Sequence, residues 1–236
     1  MMWNTEVTTS LFNQHEWQNI QALIFDMDDT LYTSQELKGA YRQAACNLIA
    51  EIKGIDRLET NDLYHRTRTV LAARCGYTPT NTLILHELGI AWETWRNQTI
   101  RTIDPGSFLT QDPKLVTTIS ILSSRYRLGL LTNNNRVHTD RILEILGVGP
   151  FFQEILTVSE TGKTKPDRTL CSTMACLLDV LPEKCLAIGD EEGIDLIPAR
   201  ATGMKTYHVR HVSDVHRLRE LFPSRHVTLN VPITSR

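Results

Sequence analysis

The sequence predicts a doubly wound α/β fold with a central parallel sheet, interrupted after its first strand by an inserted helical module. Three observations predict it. Short apolar runs each end in a polar or acidic residue, helical patterns separate most of them, and one long block between the first two runs has helical patterns without convincing strands. Runs of this length that are apolar throughout suit strands covered on both faces, as in a parallel sheet.

The first run, Ala22 to Phe25, ends at Asp26, and Leu128 to Leu131 ends at Thr132. Ile155 to Val158 ends near Ser159, Cys185 to Gly189 ends at Asp190, and Lys205 to Val209 follows Gly203. Between them, Arg136 to Leu146 carries Val137, Ile142, Leu143, Ile145 and Leu146 and stops at Gly147, as a helix with glycine beyond its C-terminus should. Pro166 to Leu178 reads as the next helix, with proline in the tolerated first turn. Asp195 to Thr202 reads as a third, with Pro198 early and Gly203 beyond its end. In such alternation of strand and helix, ligands collect beyond the carboxyl ends of the strands.

Ser34 to Pro113 breaks that rhythm with helical patterns at Glu36 to Ile52, Thr60 to Ala73, Thr80 to Glu87 and Ala91 to Thr102. The expected division is therefore a core of residues 1–33 and 114–236 around an inserted helical module of residues 34–113. Residues 1 to about 20 are polar apart from Trp3, Leu11, Phe12 and Trp17, and are expected to dock against the core.

A formal charge of −2 gives no field that would recruit nucleic acid polymer or anionic membrane, so a small dissolved substrate is expected. No apolar run reaches the length of a membrane span, and Met1 to Glu6 lacks the basic flank and apolar stretch of a signal peptide. A cytoplasmic protein is expected, monomer or homodimer. Cys46, Cys75, Cys171, Cys176 and Cys185 have neither CxxC spacing nor neighbouring histidines in a zinc pattern, and are expected to be small reduced core side chains.

The chemistry concentrates at the strand ends. Asp26 and Asp28 stand in DxD spacing after the first run, where one carboxylate can attack phosphorus while the other moves protons. An isolated DxD is usually an acidic turn; here an apolar strand precedes it and Thr30-Leu31 follows. Thr132 and Asn133 offer a hydroxyl and an amide to phosphoryl oxygens. Lys165-Pro166 would place an ammonium beside a helix N-terminus, a setting suited to anions. Gly189-Asp190, with Asp195 beyond, supplies hard oxygen ligands suited to Mg²⁺ where glycine allows a tight turn. Each piece alone is a common surface turn or helix cap.

Taken together, in order, they resemble the haloacid dehalogenase superfamily: Asp26-x-Asp28-x-Thr30 is similar to its first motif, Thr132 to its second, Lys165 to its third, and Gly189-Asp190 with Asp195 to its fourth. The resemblance runs from Leu23 to Val209. It implies a Rossmann-like core, a C1-type cap formed by the inserted helices, and a phosphatase acting on a small phosphorylated metabolite. Asp26 would be the nucleophile, Asp28 the acid and then the base, and Thr132, Asn133 and Lys165 the phosphoryl-binding groups. Asp26, Asp190 and the backbone carbonyl of Asp28 would bind Mg²⁺, with Asp195 supporting the metal or Lys165. Lys163 is the rival lysine, without a proline after it.

Asp28 favours phosphatase or phosphomutase chemistry over dehalogenation, which does not need this acid, and over the ATPase branch, which carries Thr there. A non-catalytic relative would have lost one of Asp26, Asp28, Lys165 or Asp190. Phe25 to Tyr32, Leu130 to Asn133, and Cys75 to Thr78 before His86-Glu87 are similar to pyrimidine 5′-nucleotidases, which implies a nucleoside monophosphate. Asp29 stands where Asn is usual there, and phosphoglycolate and sugar phosphates remain alternatives. Lys38, Arg42, Arg66, Arg68 and Arg74, with Tyr41, Tyr64, Trp92 and Trp95, are the inserted module's candidates for specificity.

Overall fold

The computed structural model describes residue 17 and residues 19–222. Five strands, β1 (Ala22–Phe25), β2 (Arg127–Leu131), β3 (Glu154–Leu156), β4 (Cys185–Gly189) and β5 (Lys205–His208), form one parallel sheet in the order β3-β2-β1-β4-β5. The chain winds outward from β1 to β3, then returns to place β4 on the other side of β1. Asp26 and Asp190 therefore follow adjacent strands at the point where the winding reverses, a natural crevice in an open α/β sheet.

β1 is central and covered on both faces. Leu23 and Phe25 enter one apolar cluster with Leu128, Leu130, Leu186 and Ile188. Ala22 and Ile24 enter the other, with Leu131, Ala187 and Met174. Successive side chains of a strand point to opposite faces, so an unbroken apolar run is what two-sided burial requires. Truncating one of these leucines to alanine costs about 2–5 kcal/mol.

Between β1 and β2 lie four helices, α1 (Gln35–Lys53), α2 (Arg57–Cys75), α3 (Asn81–Glu87) and α4 (Trp92–Thr102). Side chains of Ser34, Asp56 and Thr80 cap the first three by accepting from backbone N–H groups. α5 (Pro113–Ser123) precedes β2 and packs against the final helix. Then follow α6 (Arg136–Leu146), α7 (Val158–Thr161), α8 (Arg168–Leu177), α9 (Ile197–Arg200) and α10 (Val212–Leu221). No helix among the described residues is long and apolar enough to cross a membrane.

Several local expectations are corrected. Pro166 does not open a helix: Asp167 caps α8 by accepting from Thr169 N–H at 2.8 Å, and Pro166 lies outside it, joined to Lys165 by a cis peptide bond. The helix expected from Asp195 begins earlier, as a π-helical turn at Glu192–Leu196 before α9. Pro198 lacks the N–H that an α-helix would direct to Ile194, so the wider turn loses nothing there. Lys205 to Val209 ends as a strand at His208. Cys46, Cys171 and Cys185 are buried, but Cys176 is exposed and Cys75 half-buried, and all five are free thiols.

Of the expected N-terminal lead-in, residues 1–16 and 18 lie outside the described residues. Trp17 does dock, its ring centroid 5.7 Å from Tyr207 and 5.1 Å from Phe222.

Candidate active site

Asp26 leaves β1 with its N–H still bonded to the Ile188 carbonyl at 2.8 Å, so its backbone remains part of the sheet while its side chain reaches the crevice. Lys165, from the loop after α7, donates to Asp26 Oδ1 and, at 2.6 Å, to Asp195 Oδ1. All three residues are buried. Burial works to lower the Lys165 pKa, but Asp195 and Asp26 outweigh it and hold the ammonium charged. Burial also raises the Asp26 carboxyl well above the usual carboxylate range, with Lys165 pulling the other way.

Asp195 is positioned by the turn that follows β4. Its Oδ2 accepts from Glu191 N–H at 3.1 Å, and its carboxylate stands where a Cβ on Gly189 would meet it at 2.6 Å. Gly189 is thus required by close approach. With Oδ1 on Lys165 and Oδ2 on Glu191, both Asp195 oxygens are engaged.

Asp28 sits two residues beyond Asp26 and accepts from the Tyr32 hydroxyl. Burial raises its pKa while the Tyr32 bond lowers it, with a net upward shift. Such a carboxyl is biased toward the protonated form that a proton donor needs. Between Asp28 and the inserted helices, Asp29 adopts φ 62° and pairs with Lys38 of α1.

The crevice opens into a cavity of about 580 Å³ between the sheet's carboxyl edge and α1–α4. Asp26, Asp28, Asn133, Lys165, Asp190 and Asp195 all line it. Thr132 is buried and does not; its hydroxyl oxygen accepts from Asn134 N–H at 3.1 Å, leaving its proton free to donate. The Asn133 amide, at the cavity wall, also spans the Lys165 backbone, with Oδ1 accepting from the N–H at 2.6 Å and Nδ2 donating to the carbonyl at 3.2 Å. Lys163 is exposed, bonds to Thr169 at 3.1 Å and pairs with Asp167 at 3.3 Å, outside the cavity lining.

Asp26, Asp190 and Asp195 each offer an oxygen within 4.8 Å of one another. Burial and the neighbouring carboxylates Asp195 and Asp29 push the Asp190 pKa up to about 6. Of these three carboxylates Lys165 bonds to Asp26 and Asp195 alone, and hard oxygen donors in net negative surroundings fit a magnesium ion.

His138, Asn134, Asn135 and Thr99 join the site without having been singled out in the sequence. The specificity candidate Tyr41 of α1 meets His138 Nδ1 of α6 at 2.7 Å and accepts from Asn134 Nδ2 at 3.4 Å. Asn135 caps α6 through His138 N–H and reaches Thr99 of α4 at 3.4 Å. The run Asn133-Asn134-Asn135 after an apolar strand was the legible signal; its partners on α1 and α4 were not. Of the specificity candidates, Lys38, Arg42, Arg68, Tyr41, Tyr64, Trp92 and Trp95 line the cavity, whereas Arg66 and Arg74 do not.

Comparison with known proteins bears on family and fold. The sequence model of haloacid dehalogenase-like hydrolases matches residues 20–203. The chain is 28% identical over 196 residues to a glyceraldehyde 3-phosphate phosphatase from Methanopyrus kandleri, covering 81% of this chain and 84% of that one. It is 26% identical to one of the same name from Methanothermobacter thermautotrophicus, covering 78% and 83%. Among solved structures, an HAD phosphatase from Thermococcus onnurineus superposes with a TM-score of 0.64 at 18% identity, covering 88% of this chain and 100% of that one, a likeness of fold.

Proposed function

The chain belongs to the haloacid dehalogenase-like hydrolase family, and on that premise we propose that it is a phosphatase that hydrolyses a small sugar phosphate through a phosphoryl-aspartate on Asp26. One observation carries the reading: a buried carboxylate held by a charged lysine, and a second carboxyl two residues on, share the mouth of one cavity. The sugar-phosphate class is supported by the names of the relatives.

In this mechanism an Asp26 carboxylate oxygen attacks phosphorus and the ester bond to the leaving oxygen breaks. Asp28 gives that oxygen its proton, then takes one from the water that attacks the phosphoryl-aspartate, so phosphate leaves and both carboxyls return to their starting state. Lys165 offsets the charge gathering on the phosphoryl oxygens, and the Thr132 hydroxyl donates to them. Asp195 keeps Lys165 in place. Asp26, Asp190 and the Asp28 backbone carbonyl would hold Mg²⁺, which when bound neutralises negative charge on the phosphoryl group. The helices α1–α4 act as a cap of the C1 type that closes over the leaving group and excludes water.

A nucleoside monophosphate is the second reading, favoured by the aromatic rings of Tyr41, Tyr64, Trp92 and Trp95 at the cavity wall, on which a base could stack. Phosphate release from sugar phosphates, nucleoside monophosphates and p-nitrophenyl phosphate, with and without Mg²⁺, tests both. Sugar phosphates are expected to be preferred and turnover to need Mg²⁺. Asp26→Asn is expected to reduce turnover by at least about a thousandfold; near wild-type turnover in that variant would overturn the covalent route.

A further inference from the structure

The cavity is polarised in charge. Its core wall carries Asp26, Asp28, Asp29, Asp190, Glu191 and Asp195 against the one cation Lys165, whereas the wall formed by α1–α4 carries Lys38, Arg42 and Arg68 and no carboxylate. Lys38 is taken by Asp29. Arg42 and Arg68 have no ion pair or hydrogen bond among the described residues. By contrast Arg66 and Arg74, on the same helix as Arg68 but away from the cavity, pair with Asp62 and Glu87, each at 2.7 Å.

The two free guanidinium groups share one neighbourhood. Arg68 lies one turn after Tyr64 on α2, Arg42 comes from α1, and both charges act on the Tyr64 hydroxyl. That hydroxyl donates to Asn81 Oδ1 at 2.7 Å, which leaves Asn81 Nδ2 as a further donor at the same wall, without a partner among the described residues.

We propose that Arg42 and Arg68 form a subsite for a second anionic group, so that the preferred substrates are phosphate monoesters that also carry a carboxylate or a second phosphate. This rests on the phosphatase reading above. Guanidinium forks match carboxylate and phosphate oxygens in a bidentate way. The carboxylates of the core wall repel any anion not held by Lys165 and the metal, so a second anion finds favourable potential only at the opposite wall. The same polarity sets which end of the substrate faces Asp26.

Matched pairs that differ in the second anion test this: 3-phosphoglycerate against glyceraldehyde 3-phosphate, and glucose 1,6-bisphosphate against glucose 6-phosphate, with uridine 5′-monophosphate alongside. In at least one pair the anionic member should show kcat/KM higher by about tenfold or more, and the pair that responds tells carboxylate from phosphate. The ratio within that pair should collapse toward one in Arg42→Gln/Arg68→Gln and recover in part in Arg42→Lys/Arg68→Lys. Equal kcat/KM within both pairs, a ratio that survives the glutamine substitutions, or preference for the nucleotide over all four would each overturn the subsite while leaving the phosphatase reading intact. Failure of the wild-type protein to hydrolyse p-nitrophenyl phosphate with Mg²⁺ would overturn the phosphatase reading, and the subsite with it.

Discussion

Asn133 grips Lys165 by its backbone, with Oδ1 accepting from the lysine N–H at 2.6 Å and Nδ2 donating to the lysine carbonyl at 3.2 Å. The ammonium that reaches Asp26 and Asp195 therefore hangs from a loop pinned to the end of β2. Asn133→Ala removes both bonds, each worth about 1 kcal/mol. It should lower kcat by about ten- to a hundredfold with KM changing far less, because the group displaced acts as charge develops. Asn133→Gln, one methylene longer, should not rescue it. Steady-state kinetics in which kcat is unchanged would show that Lys165 needs no such clamp.

Asp28→Asn separates the two proton transfers. An ester with a good leaving group needs little protonation, so phosphoryl transfer to Asp26 should survive in this variant. Hydrolysis of the phosphoryl-aspartate needs a base and should slow by about a hundredfold or more. Rapid-quench kinetics should show a burst followed by a slow steady state; equal slowing of both phases would remove Asp28 from the role assigned to it.

Gly193 faces the segment between α2 and α3. A Cβ on it would stand 2.8 Å from Tyr77 Cβ, closer than such atoms approach, so Gly193→Ala must move the Tyr77 segment away from the acidic turn or shift that turn itself. Activity on sugar phosphates should fall by about tenfold with thermal stability little changed. Tyr77→Gly in the same chain should restore it, since the obstructing atom is then gone. Unaltered kinetics in the single variant would mean that the contact does not limit closure.

Asp112 ties the two ends of the core together. Its Oδ1 caps α5 through Lys114 and Leu115 N–H, and its Oδ2 meets His216 Nε2 of α10 at 2.8 Å. Burial works to raise its pKa, but these bonds outweigh it and hold the carboxyl below its ordinary value. A depressed folded pKa stabilises the fold above the unfolded value of about 3.9, and that contribution is lost as pH falls through the folded value. Thermal melts from pH 6 to 3 should show the gap between wild type and Asp112→Asn narrowing as pH falls; a constant gap would mean that ionisation of Asp112 does not contribute.

The sequence by itself determined the strands, and with them the carboxyl edge where the candidate site lies. Apolar runs such as Ala22 to Phe25 are local, and burial on both faces leaves them one use, so Asp26, Thr132 and Asp190 could be located by reading to the end of each run. Lys165 was legible as a candidate, but its setting was not: Asp167 competes with Pro166 to start α8, and a capping side chain decides that contest through hydrogen bonds to N–H groups that only the folded turn exposes. Asn133 shows the same limit, because an amide has donors and an acceptor and nothing in its spacing says whether it serves a ligand or a neighbouring backbone. Only the tertiary structure decided which charges of α1–α4 face the cavity. Arg66 and Arg68 stand two residues apart on α2, yet Arg66 pairs with Asp62 and Arg68 lines the cavity, since positions two apart on a helix point to different sides and the packing of α2 against its neighbours determines which side is inward.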